Sequence, residues 1–408
     1  MNIIVINHYA GSPKLGMEYR PYYLARQWVR MGHNVTIIAS NKSHIRKVEV
    51  DIKYDFEEEI IDGICYVWVK TPKYEGNGAK RAFNMLSFVS KLWMNSLRIS
   101  KTYNPDIVIA SSTYTIDNYA ALKIAKISAA KYFYEVHDLW PLSPIELGGM
   151  SEKHLFIRMM QNGENYAYRW ADKVISMLPH TKEHMKEHGL ELKKWRYIPN
   201  GICQDEWENS EGLPKDIASK LKEFKQNGYK LLAYAGTLGL ANALDNLISA
   251  AELLKDKNLK ILIFGIGPEE ENLKKLIEVN KISNVLLMGS VPKTSIPNLL
   301  SEMDILYIGL KRQSLFRFGI SPNKLIDYMM SSKPIIQAID AGNDMVTEAK
   351  CGLSIEPENP NFLAEAISKL LNQSEEEARI MGENGRLFVL ENHTYKKLAE
   401  DFIKVMEE

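Results

Sequence analysis

Residues 318–334, FGISPNKLIDYMMSSKP, combine a lysine with the start of a short helix. Ser321 and Pro322 predict that a helix begins here, because proline is tolerated in the first helical turn. Lys324 then lies near the helix N-terminus, where free backbone N–H groups favour a negatively charged partner. The pattern predicts a binding site for a phosphate group. The alternative is an ordinary surface helix with a capping serine.

A second candidate is His137-Asp138, which follows the apolar strand pattern of residues 132–136. Ligands of doubly wound α/β sheets bind at the carboxyl ends of the strands, so a histidine in this loop is a candidate site residue. Asp138 is expected to orient the ring or its loop. The alternative is a purely structural His-Asp pair.

The remaining titratable residues exclude some chemistry. No pair of carboxylates is placed by the sequence to act as nucleophile and acid, which disfavours glycoside hydrolysis. Cys65, Cys203 and Cys351 stand far apart, without the spacing of metal ligands. We therefore expect reduced thiols in a cytoplasmic protein, and no metal at the reaction site.

Length and composition indicate a globular protein of more than one domain. The 408 residues are 45% hydrophobic and 25% charged, and the length predicts two domains of about 200 residues each. No apolar run approaches the ~20 residues of a membrane span, and residues 1–7 form a strand pattern without a targeting signal. The net charge is zero, yet residues 1–200 hold 27 Lys and Arg against 20 Asp and Glu. That excess predicts an anionic partner for the first half.

Short apolar strand patterns alternate with helical patterns in both halves of the chain. This alternation predicts two α/β domains, residues 1–200 and 201–385, each with a parallel sheet covered on both faces, followed by a helical tail at 386–408. The predicted strands are residues 3–6, 34–39, 60–69, 106–111, 131–136 and 173–177 in the first half, and 230–235, 259–264, 285–288, 304–308 and 334–339 in the second.

The segment from Lys80 to Tyr103 contains no acidic residue, and its basic residues alternate with large apolar ones. Such a segment is compatible with binding to an anionic membrane surface, here the inner face of the cell membrane, because basic residues add electrostatic attraction to apolar burial. It is equally compatible with a helix that covers the sheet.

The phosphate-site segment resembles the nucleotide-sugar signature of retaining glycosyltransferases of the GT-B fold, family 4. In that signature a Glu, seven residues and a second Glu precede Ala-Met, a small residue, Gly and Pro. Here Asp327 takes the place of the second acid and is followed by Tyr328-Met329, whereas Gly319 stands in place of the first acid. The variant is similar to the branch that builds bacterial surface polysaccharides such as O-antigen or capsule.

The resemblance implies two Rossmann-like domains facing each other across a cleft, with the acceptor on the first, the donor on the second and the tail helix packed on the first. It implies metal-independent, retaining transfer of an N-acetylated or deoxy sugar from a UDP-sugar donor to a lipid-linked saccharide, with no nucleic-acid partner. The implied catalytic residues are His137, Arg317 and Lys324, with Lys311 and Arg312 as further candidate cations. The implied donor-binding residues are Gly16, Gly236, Thr237, Gly289, Ser290, Val291, Gly319, Ile320, Ser321, Asn323 and Asp327.

Two other functions remain open at this point. A UDP-sugar epimerase can use the same two-domain fold but needs no acceptor. A catalytically silent partner in a polysaccharide assembly complex is the other alternative, because Gly319 replaces an acid.

Overall fold

The computed structural model describes residues 1–76 and 78–408. The chain divides into two compact units: the first comprises residues 1–200 and 395–408, and the second comprises residues 201–394. Within the described residues, no helix combines the length and apolarity needed to cross a bilayer. Within the described residues, Cys65, Cys203 and Cys351 form no disulfide bond.

The first unit is built on a mainly parallel sheet with strand order β3-β4-β2-β1-β5-β6-β7-β8. Its central strands are apolar on both faces and buried, as expected for a sheet covered by helices on each side. Its strands are β1 (Asn2–Ile6), β2 (Asn34–Ser40), β3 (Glu57–Ile61), β4 (Ile64–Val69), β5 (Ile107–Ala110), β6 (Lys131–Val136), β7 (Lys173–Ser176) and β8 (Trp195–Tyr197).

The predicted single strand at residues 60–69 is wrong. This stretch crosses a hairpin, and β3 pairs with β4 in the antiparallel sense. Asp62 and Gly63 form the turn with φ of 50° and 82°. Asp-Gly is a preferred pair for a two-residue hairpin turn with positive φ at both positions, so the sequence did contain the signal.

Helices cover the first sheet. Helix α1 has Pro21 in its first turn, and Gly32 follows its end with φ of 86°, the residue types that favour these two positions. The helices are α1 (Arg20–Arg30), α2 (Ala79–Met94), α3 (Ser96–Tyr103), α4 (Asp117–Ser128), α5 (Leu142–Glu146), α6 (Leu155–Trp170) and α7 (Lys182–Glu187).

The second unit repeats the plan around a parallel sheet of order β11-β10-β9-β12-β13-β14. Two such sheets confirm the predicted fold class, α/β with two Rossmann-like domains. The strands are β9 (Lys230–Ala235), β10 (Leu259–Phe264), β11 (Val285–Gly289), β12 (Ile305–Gly309), β13 (Ile335–Ala338) and β14 (Gly352–Ile355).

Helix α13 carries the segment that the sequence singled out. It begins one residue after Pro322, and its apolar stripe of Leu325, Ile326, Met329 and Met330 is buried. The helices of this unit are α8 (Gln204–Glu208), α9 (Lys215–Gln226), α10 (Leu244–Glu252), α11 (Glu270–Val279), α12 (Ile296–Ser301), α13 (Asn323–Met330), α14 (Met345–Glu348), α15 (Pro360–Leu371) and α16 (Glu375–Asn392).

The C-terminal tail does not begin as a separate segment at residue 386. Helix α16 runs through that position and packs on α13, because Gly382 and Gly385 bring its backbone close. A Cβ at Gly382 would lie 1.9 Å from the Ser332 carbonyl oxygen, so a larger residue would separate the two segments. Residues 386–394 therefore belong to the second unit.

Only the last helix, α17 (Tyr395–Glu407), returns to the first unit. The Trp28 indole N–H donates to the Ala399 carbonyl at 3.2 Å, and the Trp28 ring meets Phe402 edge to face. Tyr395 stacks on Tyr23 with ring centroids 4.8 Å apart. A terminal helix does pack on the first unit, but it begins nine residues later than the sequence suggested.

Residues 80–103 form α2 and α3, separated at Asn95. The buried face fits a helix that covers the sheet, whereas binding to a membrane stays a prediction. Met85, Phe88 and Leu92 pack into the unit as a sheet-covering helix would. The opposite face exposes large apolar side chains, which we call the α2–α3 face: Phe83, Leu86, Trp93, Met94 and Leu97.

Candidate functional site

In the second unit, two glycine loops meet at the carboxyl ends of β9 and β10. A Cβ at Gly265 would lie 1.8 Å from the Gly236 carbonyl oxygen, and one at Gly267 would lie 2.4 Å from that of Leu238. Backbone hydrogen bonds from Gly236 to Phe264 and from Leu238 to Ile266 join the loops at 2.9 and 3.0 Å. Glycine is required because the two backbones touch.

Lys324 reaches from the first turn of α13 to the Gly236 loop. Its Nζ donates to the Tyr234 hydroxyl at 2.7 Å and to Asn242 Oδ1 at 2.9 Å. A Cβ at Gly236 would lie only 2.8 Å from that Nζ, so the absent side chain leaves the lysine its place. The structure thus brings Lys324 to the loop of Gly236 and Thr237, of which Thr237 lies 87 residues earlier in the sequence.

Tyr234, Asn242 and Tyr328 were missed by sequence reasoning. The Tyr234 hydroxyl donates to the Thr237 carbonyl at 2.7 Å, and the Asn242 amide donates to the same carbonyl at 3.0 Å. The Tyr328 hydroxyl bonds both backbone groups of Ala235, at 2.7 and 3.1 Å. Tyr328 thus joins α13 to the end of β9, and Tyr234 and Asn242 hold the loop that receives the Lys324 ammonium group.

Lys324 is an ammonium group without a carboxylate beside it among the described residues. Burial lowers its pKa to about 7, because the surrounding protein disfavours the charged form. An anion bound at this point would restore the missing charge compensation. The arrangement places a cation where a phosphate or diphosphate could bind, and the identity of the ligand stays a prediction.

Asp327 lies one helical turn beyond Asn323, on the side of α13 that is only half buried. Burial raises its pKa to about 7, and the positive charge of Lys293 opposes that shift. Within the described part of the chain, its carboxylate oxygens accept no hydrogen bond. They are thus available as acceptors for hydroxyl groups of a ligand.

Gly319 occupies a conformation that excludes the acid expected there by the family pattern. Its φ of 93° and ψ of 173° fall in a region that is essentially restricted to glycine. The next residue, Ile320, is held by two hydrogen bonds to the Asn343 side chain, at 2.7 and 3.0 Å. The departure from the pattern therefore follows from the path of this loop.

The other candidate cations have separate surroundings. Arg317 is exposed, donates to the Ser314 carbonyl at 2.6 Å and lies over the Phe318 ring, whereas Lys324 contacts Tyr234 and Asn242. Arg312 forms ion pairs with two acids of the same unit, Asp340 and Glu356, so its charge is already compensated. A role for Arg312 at the diphosphate is not supported.

The remaining donor candidates of this unit line the same edge of the sheet. Gly289 ends β11 with φ of 72°, and its carbonyl accepts from the Gly265 N–H at 2.7 Å. Ser290 is exposed and Val291 half buried, which leaves the backbone of this turn accessible. Ser321 and Asn323 flank the start of α13.

In the first unit, His137 stands immediately after β6 and is held by two residues. Its Nε2 lies 2.9 Å from the Ser111 hydroxyl and 3.2 Å from Glu135 Oε2. Burial alone would lower the pKa of His137, but the hydrogen bond and negative charge of Glu135 outweigh it and raise the pKa. Glu135 therefore favours the protonated ring more than water favours that of a free histidine, and Nε2 is the nitrogen that faces the carboxylate.

Among the described residues, the carboxylate that contacts the ring is not that of Asp138, so the expected role in orienting the ring is wrong, and a role in the loop stays a prediction. The acid that contacts the ring is Glu135, which is buried and forms an ion pair with buried Arg20 at 3.0 Å. Despite burial, the charge of Arg20 and the contacts with His137 hold the pKa of Glu135 well below its usual range. A single acid inside the apolar strand pattern YFYEV was the signal for such a partner.

Arg20 completes this network from the first turn of α1. Its guanidinium also donates to the carbonyl oxygens of Ile198 and Pro199, beyond the end of β8. His137, Glu135 and Arg20 thus connect the ends of β6 and β8 to α1.

Gly16 lies in the loop between β1 and α1, with φ of 101°. A Cβ there would meet the Lys47 backbone nitrogen at 2.7 Å, and its own N–H donates to the Ser12 carbonyl at 2.8 Å. The glycine is required by this close packing. Whether it also contacts a donor remains a prediction.

Two family models match the chain. Residues 16–206 match "Glycosyltransferase Family 4", and residues 216–388 match "Glycosyl transferases group 1". The two matches correspond to the first and second units and together span most of the chain. Fold and matches define a glycosyltransferase of the GT-B class.

Individual relatives are distant. The chain is 21% identical over 318 residues, 76% of each chain, to "Probable glycosyltransferase WbjE" of Pseudomonas aeruginosa. It is 21% identical over 319 residues to "Putative colanic acid biosynthesis glycosyl transferase WcaI" of Escherichia coli K12, covering 76% of this chain and 77% of that one. The crystal structure of Anabaena HepE in complex with UDP and glucose superimposes over 100% of both chains, with a TM-score of 0.66 and 14% identity.

The pKa of Lys324 predicts how anion affinity depends on pH. With UDP as the probe anion, affinity should fall by roughly tenfold per pH unit above about pH 7.5, because free Lys324 loses its proton near pH 7 while a bound anion favours the charged form. Isothermal titration calorimetry between pH 7 and 9 measures this slope.

Two variants complete that experiment. Lys324→Met should bind UDP weakly and without the slope. Lys333→Met, a control at a half-buried lysine in the segment that follows α13, should keep the slope. Affinity of the parent protein that does not change with pH would contradict the assignment.

The buried ion pair predicts a second measurable effect. Glu135→Gln should lower the free energy of unfolding of the first unit by about 3–5 kcal/mol, because it leaves the Arg20 charge buried and unpaired. Urea unfolding followed by tryptophan fluorescence reports this unit, which holds six of the seven tryptophans.

The matched control is Glu408→Gln, which removes the acid of the more exposed ion pairs with Lys173 and Arg196. It should leave the transition nearly unchanged, because solvent screens exposed pairs. Equal effects of the two substitutions would show that burial of the Glu135 pair is unimportant.

Proposed function

We propose that this glycosyltransferase transfers a sugar from a UDP-sugar donor to a lipid-linked saccharide during synthesis of a bacterial surface polysaccharide, with retention of anomeric configuration. The observation that carries the proposal is Lys324, a desolvated lysine without a carboxylate partner at the mouth of α13. The colanic acid relative and the UDP complex of HepE support the choice of pathway class and of nucleotide.

In this proposal the second unit binds the donor. Lys324 and the first backbone N–H groups of α13 contact the diphosphate, with Arg317 as an additional cation. The Asp327 carboxylate accepts from the ribose hydroxyls, and the exposed backbone of Gly289–Val291 binds the base. The neutral surroundings of Lys324 favour this pose, because the negative charge that pairs with the lysine is then supplied by the diphosphate.

The chemical difficulty of the reaction is the negative charge that develops on the leaving diphosphate. Lys324 stabilises that charge as the bond between the anomeric carbon and the phosphate oxygen breaks. The acceptor hydroxyl attacks from the same face, and its proton passes to the departing phosphate oxygen. No protein nucleophile is then needed, and configuration is retained.

His137 is proposed to contact the donor sugar. Glu135 and Ser111 hold its Nε2, so the protonated ring presents Nδ1–H to a sugar hydroxyl. In this role the histidine positions the sugar and does not contact the nucleotide. Its substitution should therefore lower the rate of transfer more than the affinity for the nucleotide.

The activity test uses a panel of UDP-sugars with lipid-linked acceptors extracted from bacterial membranes. Lys324→Met should lower kcat by about 10²–10³, the cost of one electrostatic contact to a developing charge, while Lys333→Met stays near the parent value. His137→Ala should lower the transfer rate much more than it weakens binding of free UDP. Loss of both in parallel would make His137 a structural residue.

The same assay separates the alternatives. Interconversion of UDP-sugars without acceptor would identify an epimerase. Absence of transfer and of donor hydrolysis above background would identify a silent partner in an assembly complex.

We also propose that the α2–α3 face rests on anionic lipid, where the acceptor is anchored. Exposed fractions of 62% for Phe83 and 71% for Met94 leave large apolar side chains toward solvent, and Lys80, Arg98 and Lys101 are exposed beside them. Lys91 takes no part, because it is paired with Asp55 at 2.5 Å. Basic residues near an anionic surface contribute about 1 kcal/mol each.

Liposome flotation tests this surface. Binding should require anionic lipid and weaken as salt rises, and charge reversal at Lys80, Arg98 and Lys101 should release the protein while transfer to a soluble acceptor persists. Charge reversal at Lys255, Lys257 and Lys275, exposed lysines of the second unit, is the matched control and should still float. Equal flotation of both variants would refute the proposal.

A further inference from the structure

A cluster of three potential metal ligands lies in the first unit, between α6 and α7. Glu164 lies in the middle of α6, His184 lies in α7, and His188 is the residue that immediately follows α7. One ligand atom from each residue lies within 4.8 Å of the other two. The two histidines are four residues apart, so a single helical turn presents both on one face, and their rings are 4.4 Å apart.

The surrounding hydrogen bonds prepare these atoms for a cation. Glu164 is buried, and its two oxygens accept from neutral donors, the Tyr168 hydroxyl at 2.8 Å and the Gln161 amide at 2.7 Å. His188 Nδ1 lies 2.8 Å from the His184 carbonyl, so it carries the proton and leaves Nε2 with a lone pair. Metal-bound histidines are held in this way, by a hydrogen bond from the other ring nitrogen.

The cluster has an open side. His188 lines a groove of about 460 Å³ together with Gly189, Asn162, Asn165 and Tyr166. An ion can enter from this groove, and water can complete its coordination there. Glu164 closes the opposite side, where it is buried against the unit.

We propose that Glu164, His184 and His188 bind one divalent transition-metal ion of the Zn²⁺ class. Imidazole nitrogen with one carboxylate suits Zn²⁺, Co²⁺ or Ni²⁺, whereas Ca²⁺ and Mg²⁺ prefer oxygen ligands throughout. Ligand atoms around tetrahedral zinc are roughly 3.4 Å apart, so the side chains close by about 1 Å on the ion. The ion would join α6 to α7 and so brace the loop that follows β7.

This site is separate from the proposed transfer chemistry. The residues proposed for transfer are Lys324 in the second unit and His137 in the first, and none of the three metal ligands is among them. Metal binding can therefore succeed or fail independently of sugar transfer, and binding is measured without a sugar donor.

The test titrates the full chain, after treatment with EDTA, with Zn²⁺ in a calorimeter and with Co²⁺ in a visible spectrometer. We expect one ion per chain and, for Co²⁺, the intense visible bands of a tetrahedral site. Groups that only support a ligand change metal affinity by about 10–100-fold, so loss of a direct ligand in Glu164→Gln or His188→Gln should weaken binding by at least about 100-fold.

The matched control is His180→Gln, at an exposed histidine in the loop before α7, which should bind as the parent does. His188 is half exposed, so His188→Gln keeps the fold even if substitution of buried Glu164 disturbs it. The proposal is overturned if the parent binds no stoichiometric ion. It is also overturned if His188→Gln and His180→Gln bind equally, which would indicate an adventitious ion only.

Discussion

The site of the second unit depends on one lysine that is kept from water without an acid to neutralise it. Burying a charge away from water is unfavourable, and a bound anion offsets this cost for the Lys324 ammonium group. Tyr234 and Asn242 accept hydrogen bonds from the ammonium group and so fix its position. Both side chains are neutral, so they do not compensate its positive charge. Gly236 leaves space for that group, and the hydrogen bonds of Tyr328 to Ala235 hold the helix that carries it.

In the first unit, by contrast, the buried charges of Arg20 and Glu135 are paired with each other. Arg20 and Glu135 neutralise each other, and Glu135 uses its remaining oxygen for Ser111 and His137. A ring held by a compensated pair has a fixed orientation and a raised pKa, which suits a donor of hydrogen bonds better than a base. One unit thus presents an uncompensated cation, and the other presents a rigid, oriented imidazole.

Backbone geometry explains the departure of this chain from the two-acid pattern of the family it resembles. At Gly319 the chain turns with φ of 93°, and Asn343 fixes the next residue, so a glutamate at this position would strain the loop. The missing acid is therefore not evidence for loss of activity. The same reasoning applies to Gly382 and Gly385, which allow α16 to lie against α13 and move the boundary of the second unit to residue 394.

The sequence by itself determined what depends on near neighbours: the alternation of strands and helices, the buried stripe of α13 and the position of Lys324 at a helix start. Only the tertiary structure decided which distant residues meet. Glu135 rather than Asp138 holds His137, Arg312 is taken up by Asp340 and Glu356, and Asp55 neutralises Lys91 in a segment that contains no acid. The His184 and His188 spacing was visible along the chain, but their partner Glu164 lies on another helix, twenty residues before His184. Side chains on separate elements become neighbours through packing, and local propensity carries no record of that packing.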